Sequence, residues 1–188
     1  MTDFPTHTIE TAPAEAQPRL KATQDALGFV PNLYAAMAEA PALLEGYQTL
    51  AGIFDKTDLS ATERQIILMT NNLVNGCDYC MAAHTTISQG EGVPAEVIDA
   101  LREDTPIADT KLEALRQFAK VVNETRGWPV ERDVQALIAA GYTTRTVLEV
   151  VLGTGLKVLS NYTNHIVETD VDAAFAPNAW QRPAADAA

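Results

Sequence analysis

Two cysteines, three histidines and two tryptophans are all that 188 residues contain of these types, and long hydrophobic runs are missing altogether. No stretch approaches the ~18 uninterrupted apolar residues that a membrane-spanning helix needs, so no membrane span is expected. The first ten residues, MTDFPTHTIE, have neither a basic start nor an apolar segment. That argues against a secretory signal, and the expected location is cytoplasmic. Basic residues are also scarce: 13 Lys and Arg stand against 25 Asp and Glu, a net charge of -12 that opposes binding to nucleic-acid phosphates or anionic lipid. Sustained alternation of apolar and polar residues, the mark of a half-buried strand, is absent too. What is present, 47% apolar and 20% charged residues, is the composition of a globular protein with a sizeable core.

The positive pattern is helical throughout. AEAQPRLKATQDALG fits an opening helix stopped by Gly28, LYAAMAEA is a short second helix, and Pro41 opens ALLEGYQTLAGIF. LSATERQIILMTNNLVNG carries Ser60 and Glu63 as a capping-box pair and should stop near Asn75-Gly76. A further helix is expected from Cys77 to about Gln89, then AEVIDALRE after Pro94 and the strongly amphipathic KLEALRQFAKVVNETRG with Gly127 as its stop. VERDVQALIAAG follows Pro129, and Thr143 or Thr144 caps a long final helix running to about Val167. The expected fold is all-α, with residues 1–13 an N-terminal extension, 14–175 one helical domain and 176–188 a disordered tail. Residues 64–85 laid over 148–169 raise the possibility of two degenerate helical repeats, with Asn161 and Asn164 beneath Cys77 and Cys80. Coincidence is the alternative, since helices of similar length align easily. Asn161, Asn164 and His165 read as hydrogen-bonding residues of a helix-packing site.

Both cysteines and one histidine fall in a single stretch, NGCDYCMAAHTT, residues 75–86. Spacings of three and four bring Cys77, Cys80 and His84 within about 60° of one another on a helix, so the three share a face. Cα atoms three apart on a helix are about 5 Å from each other, inside the roughly 4.4–6.8 Å that a disulfide tolerates, so the pair can open and close without refolding. His84 stands one turn beyond Cys80, within reach of its thiol proton. A helix N-terminus just after Gly76 favours thiolate near Cys77, whereas the carboxylate of Asp78 opposes it. A zinc site would want four ligands, and His7 and His165 lie far off in sequence. Haem attachment would need a histidine where Met81 stands. Two inert buried cysteines would leave their shared face with His84 unexplained. A thiol redox centre fits best, with no metal or other cofactor, and outside a thioredoxin fold, whose strands are absent.

The run from Leu59 to His84, with RQIIL, NGCDYC and AAHT, resembles the alkyl hydroperoxidase D-like, peroxidase-related branch of the carboxymuconolactone decarboxylase superfamily. LGFVPNLYAAMAEAPALLEGYQTL upstream and EVVLGTGLKVLSNYTNH downstream extend the resemblance over residues 20–175. It implies an alkyl hydroperoxidase D-like helical bundle and a peroxidase in which Cys80 attacks the peroxide O–O bond and becomes a sulfenic acid. Cys77 then resolves it as a disulfide, with His84 in the proton relay. It also implies a hydroperoxide substrate, a thiol or dihydrolipoyl-type reductant, and a homo-oligomer. Without the family, the order of attack stays open: the helix N-terminus favours Cys77 and the neighbouring histidine favours Cys80.

Two departures stand out. Gln65, twelve residues before Cys77, occupies the place of a relay glutamate. Glutamine cannot take a proton, but it can orient a water or His84. Glu63 lies about 200° around the helix from Gln65 and is the capping partner of Ser60, so it is a poor substitute. Tyr79 stands where some relatives carry a second histidine. Two alternatives follow: a redox-sensing or thiol-dependent binding protein without useful turnover, and a lyase of the decarboxylase kind, whose members typically lack the cysteine pair.

Overall fold

The computed structural model describes residues 3–182. Among the described residues nine α-helices follow one another: α1 (Gln17–Leu27), α2 (Asn32–Met37), α3 (Pro41–Phe54), α4 (Ala61–Asn75), α5 (Asp78–Gly90), α6 (Ala95–Glu103), α7 (Thr110–Glu124), α8 (Glu131–Ala139) and α9 (Thr144–Val167). A 3-10 turn follows at Ala176–Asn178, and no strand occurs among the described residues. The all-α expectation holds.

Local chemistry sets the boundaries. Ser60 and Glu63 form the reciprocal capping box of α4, which assigns Glu63 to structure. Asp109 accepts from the N–H groups of Lys111 and Leu112 at 2.8 and 3.0 Å, and Thr143 caps α9 through the N–H of Thr146. Between α4 and α5 the chain closes one helix and opens the next within two residues. Gly76 takes the left-handed conformation (φ 68°), its N–H bonds to Leu73 O at 3.0 Å, and the N–H of Cys77 reaches back to Asn72 O at 2.9 Å. This is a Schellman stop, whose left-handed residue is normally glycine. Cys77 is therefore the N-cap of α5, in extended geometry (φ -94°, ψ 96°), one residue outside the helix in which it was expected.

Helix α4 is the axis of the molecule. Nine consecutive residues, Gln65 to Leu73, are buried, because α5, α6, α7 and α9 pack around it on every side. Gln65, Thr70, Asn71 and Asn72 are polar exceptions within that run; Gln65, Asn71 and Asn72 find partners inside the protein, whereas the Thr70 hydroxyl has none. The long helix α9 crosses α4 and α3 at Gly153. A Cβ there would lie 2.7 Å from Ile67 Cγ2 and 2.9 Å from Phe54 Cζ, with nowhere to go in a filled core. Gly153→Ala is expected to cost about 1–3 kcal/mol through overpacking, read as a lowered urea midpoint. An unchanged midpoint would mean that α9 can lift away from α4.

One expectation is corrected. The segment from residue 176 is not a disordered tail over the described part, 176–182. Trp180 is buried and its indole N–H donates to Arg102 O at 2.9 Å, while Arg102 donates to the carbonyls of Asn178 and Ala179, so the segment is fastened to α6 and α5. Residues 183–188 lie outside the described residues. Nor do the two overlaid segments share one backbone plan: α4 and α5 break at Gly76, whereas α9 runs unbroken through the corresponding stretch. At the other end, part of the 1–13 extension is packed down: Ala12 is buried, and the His7 N–H bonds to Ala35 O.

Candidate functional site

Four side chains were singled out in the sequence, Gln65, Cys77, Cys80 and His84, and the fold brings all four together between α4, α5 and α9. Cys77 and Cys80 are free thiols, 1% and 2% exposed. As N-cap and third helical residue, they stand in the relation that a capping side chain has to the residue it caps, which sets one sulfur beside the other.

Two residues of α9 complete the cluster. Asn164 Nδ2 lies 3.1 Å from Cys80 Sγ and 3.7 Å from Cys77 Sγ, donating to both. Lys157, with 0% exposure, places Nζ 3.0 Å from His84 Nε2. Ammonium has only donors, so His84 Nε2 must accept and its proton must sit on Nδ1. Nδ1 lies 2.9 Å from Gln65 Oε1, and Gln65 Nε2 donates at 3.0 Å to Glu91 Oε2 at the exposed end of α5. Each link of Lys157–His84–Gln65–Glu91 pairs a donor with an acceptor. Gln65 thus holds His84 in one tautomer, as a glutamate there also would, and the carboxylate absent at 65 appears one link further out, at Glu91.

The electrostatics separate the two thiols. Burial alone would raise both, but only one of two touching sulfurs can ionise readily. For Cys80, burial is outweighed by the thiol of Cys77 donating to it and by the charge of Lys157, with Ser160 and Asn161 adding to this; it falls from an ordinary 9.0 to about 5. Cys77, donating to Cys80 and itself buried, is pushed well above the ordinary range. His84 is driven far below 6.5 by burial and then by the Lys157 cation, so the imidazole is neutral at physiological pH.

A cavity of about 210 Å³ opens onto Cys80, and Cys77 is not part of its wall. Leu33, Tyr34, Tyr47, Ile87 and Phe175 make it mainly apolar and aromatic, with His84 and Lys157 as its polar contribution. A larger cleft of about 520 Å³, between Asp58, Lys111 and Glu149, is lined by neither cysteine and by no histidine. Tyr79 turns away from the sulfurs: its hydroxyl donates to Asp172 at 2.6 Å and accepts from the N–H of Leu33. It ties the segment after α9 over the cavity, where Phe175 packs edge-on against it. Among the described residues no three of His, Cys, Asp and Glu converge as metal ligands.

Asn161 matches its sequence reading, bridging Asn75 and Asn72 in a helix-packing network, and His165 is exposed. Asn164 does more than that reading allowed, since it touches the thiols. Lys157 was missed. Its signal was available: between Glu149 and Glu168 it is the sole Lys, Arg, Asp or Glu, in a helix of apolar and small residues.

Residues 38–124 match the carboxymuconolactone decarboxylase family, a span that holds α4, α5, both cysteines, His84 and Gln65, and stops short of α9. No curated protein sequence matches the chain. Among solved structures, the alkylhydroperoxidase AhpD core, a peroxidase-related protein from Ralstonia eutropha JMP134, is similar over 92% of this chain and 93% of its own, at 23% identity and a TM-score of 0.79. A peroxidase-related protein from Silicibacter sp. TM1040 is similar over 93% and 92%, at 21% identity and 0.78. A variant of the debrominase Bmp8, in complex with 2,3,4-tribromopyrrole, is similar over 95% and 96%, at 19% identity and 0.79. At such identities the likeness to these structures is one of fold. The family match lies in residues 38–124, and over nearly its whole length the chain shares the all-helical fold of the AhpD-like structures.

Proposed function

We propose that the protein is a dithiol peroxidase that reduces organic hydroperoxides. The observation that carries this reading is the asymmetry of the cysteine pair. Cys80, held as thiolate, faces an apolar cavity, and Cys77, held as thiol, stands directly behind it. In the first step the Cys80 thiolate attacks the distal peroxide oxygen; an S–O bond forms, the O–O bond breaks, and an alkoxide leaves and takes up a proton. Cys77 then attacks the sulfenic acid, forming the disulfide and releasing water. An external dithiol of the dihydrolipoyl type returns the pair to dithiol, being oxidised to its own disulfide. The aromatic walls favour a hydroperoxide with a bulky apolar group, such as cumene hydroperoxide, over hydrogen peroxide.

The test is consumption of cumene hydroperoxide by the reduced chain with dihydrolipoamide as electron donor. Wild-type protein that oxidises once per chain and is not turned over by the dithiol would replace the peroxidase with the redox-sensing alternative. Activity surviving removal of both cysteines would favour the lyase. A second reading, reductive dehalogenation of a haloarene, draws on the aromatic cavity and the debrominase of the same fold. It uses the same two thiols, which become a disulfide as the arene exchanges halogen for hydrogen. A bromopyrrole assayed in parallel separates the two.

The proposal extends to self-association. One face of α9 exposes Leu148, Val151, Tyr162 and Ile166, with Leu148 70% and Ile166 65% accessible. Apolar rows of this kind on a helix usually meet a partner. Sedimentation should show a wild-type oligomer that Val151→Glu with Ile166→Glu converts to monomer. A monomeric wild type removes this part.

A further inference from the structure

We infer that Lys157 is the catalytic acid of the peroxide-cleaving step, with His84 and Gln65 as positioning residues that aim its ammonium at the cavity. The inference rests on the peroxidase reading and deepens it. A departing alkoxide is a strong base, and cleavage is fast only if a proton reaches it as the O–O bond breaks.

Among residues at the cavity wall, the obvious donor by sequence is His84, but its hydrogen bonds exclude it. Nε2 accepts from Lys157, and the Nδ1 proton is committed to Gln65 Oε1, away from Cys80. The neutral imidazole has no acidic proton to give on the cavity side. Lys157 has: Nζ spends one donor on His84 and keeps two, it lines the same cavity as Cys80, and its charge acts on the Cys80 sulfur. A buried ammonium is costly unless its charge is compensated, and here it acts through space on the Cys80 thiolate, a charge that the reaction consumes. When Cys80 becomes a sulfenic acid, the negative charge facing Lys157 disappears. At that moment a new base, the alkoxide, stands in the same cavity.

The proton balance closes within the site. Cys80 thiolate, hydroperoxide and Lys157 ammonium give Cys80 sulfenic acid, alcohol and Lys157 amine. The Cys77 thiol and the sulfenic acid give disulfide and water with no net proton. The external dithiol then reduces the disulfide, leaving Cys77 as thiol and Cys80 as thiolate. The proton released in that step restores the Lys157 ammonium. Gln65 need not relay anything, which reconciles its missing carboxyl with a working cycle.

Two readouts test this. The first follows Cys80 alkylation by iodoacetamide against pH in reduced protein carrying Cys77→Ser. The second follows stopped-flow oxidation by a single equivalent of cumene hydroperoxide in the chain with both cysteines. Lys157→Met is expected to raise the alkylation midpoint by more than one pH unit and to slow oxidation at least about 100-fold, the usual worth of a general acid. Lys157→Arg is expected to keep a low midpoint yet remain slow in oxidation, because guanidinium keeps its charge and gives up protons poorly. Wild-type oxidation should depend only weakly on the acidity of the leaving alcohol across a hydroperoxide series. That measurement needs no variant to fold, and a steep dependence would overturn the acid role. So would Lys157→Arg oxidising at the wild-type rate. A Lys157→Met midpoint equal to that of its parent overturns the pairing of Lys157 with the thiolate. If wild type consumes no hydroperoxide, the peroxidase reading and the acid role fall together, and the alkylation midpoints still decide the pairing separately.

Discussion

Cys80→Ser should abolish hydroperoxide consumption, by about a thousandfold or more, whereas Cys77→Ser should leave a chain that reacts once and stops. A serine hydroxyl is not ionised near neutral pH and cannot replace a thiolate whose charge is held by Lys157 and Asn164. Without Cys77, the sulfenic acid formed at Cys80 has no resolving thiol beside it, so a sulfenate-trapping reagent should mark Cys80 at close to one label per chain. The same experiment fixes the order of attack. Sulfenic acid trapped at Cys77 in a Cys80→Ser background, with retained turnover, would reverse the assignment. The structure weighs against that reversal, because Cys77 is not part of the cavity wall and its thiol is the harder one to ionise.

The second large effect is in the pH dependence. Alkylation of Cys80 in the reduced chain should be half-maximal near pH 5, far below the 9.0 of an ordinary cysteine, and flat above pH 7. Stability follows by linkage. Between pH 9.0 and about 5 the unfolded chain binds a proton at Cys80 that the folded chain does not, so this contribution is complete above pH 9.0 and is lost on acidification. The loss cannot exceed about 1.4 kcal/mol per pH unit for one group. Cys77 acts oppositely: the folded chain keeps its proton after the unfolded chain has lost it, so its contribution declines above pH 9.0. His84 adds to acid sensitivity, because below pH 6.5 the unfolded imidazole takes a proton that the folded one refuses. The stability gap between wild type and Cys80→Ser, from urea denaturation under reducing conditions, should therefore shrink from pH 9 to pH 6. A gap that does not change with pH would mean that Cys80 is an ordinary thiol.

Much of the fold was legible because its signals are local. Ser60 with Glu63, Gly28, Gly76, Pro41 and Thr143 act through hydrogen bonds or dihedral limits that span five residues or fewer, and each marks a helix boundary in the structure. The tail was misjudged for the opposite reason. APNAWQRPAADAA has the composition of a loose end, and what fastens Trp180 is a carbonyl of α6, 78 residues earlier in the chain. Composition carries no record of such a partner. The same holds for Gln65: read against the family it looked like a loss, and its partner Glu91, 26 residues later, becomes visible only when α4 and α5 lie side by side.

The cysteine motif shows where the division falls. By itself the sequence determined that two thiols and an imidazole would stand together, because spacings of three and four residues are fixed by helix geometry. It did not determine which sulfur carries the charge. Cys77 caps α5 and Cys80 lies in its first turn, so the helix dipole acts on each and the local field does not choose strongly between them. That choice belongs to α9, which comes close to α4 at Gly153 and delivers Asn164 to Cys80 and Lys157 to His84 beside it, each from more than 70 residues away. An ammonium brought in from one side breaks the near-equivalence of two neighbouring thiols, and only tertiary packing can set that side.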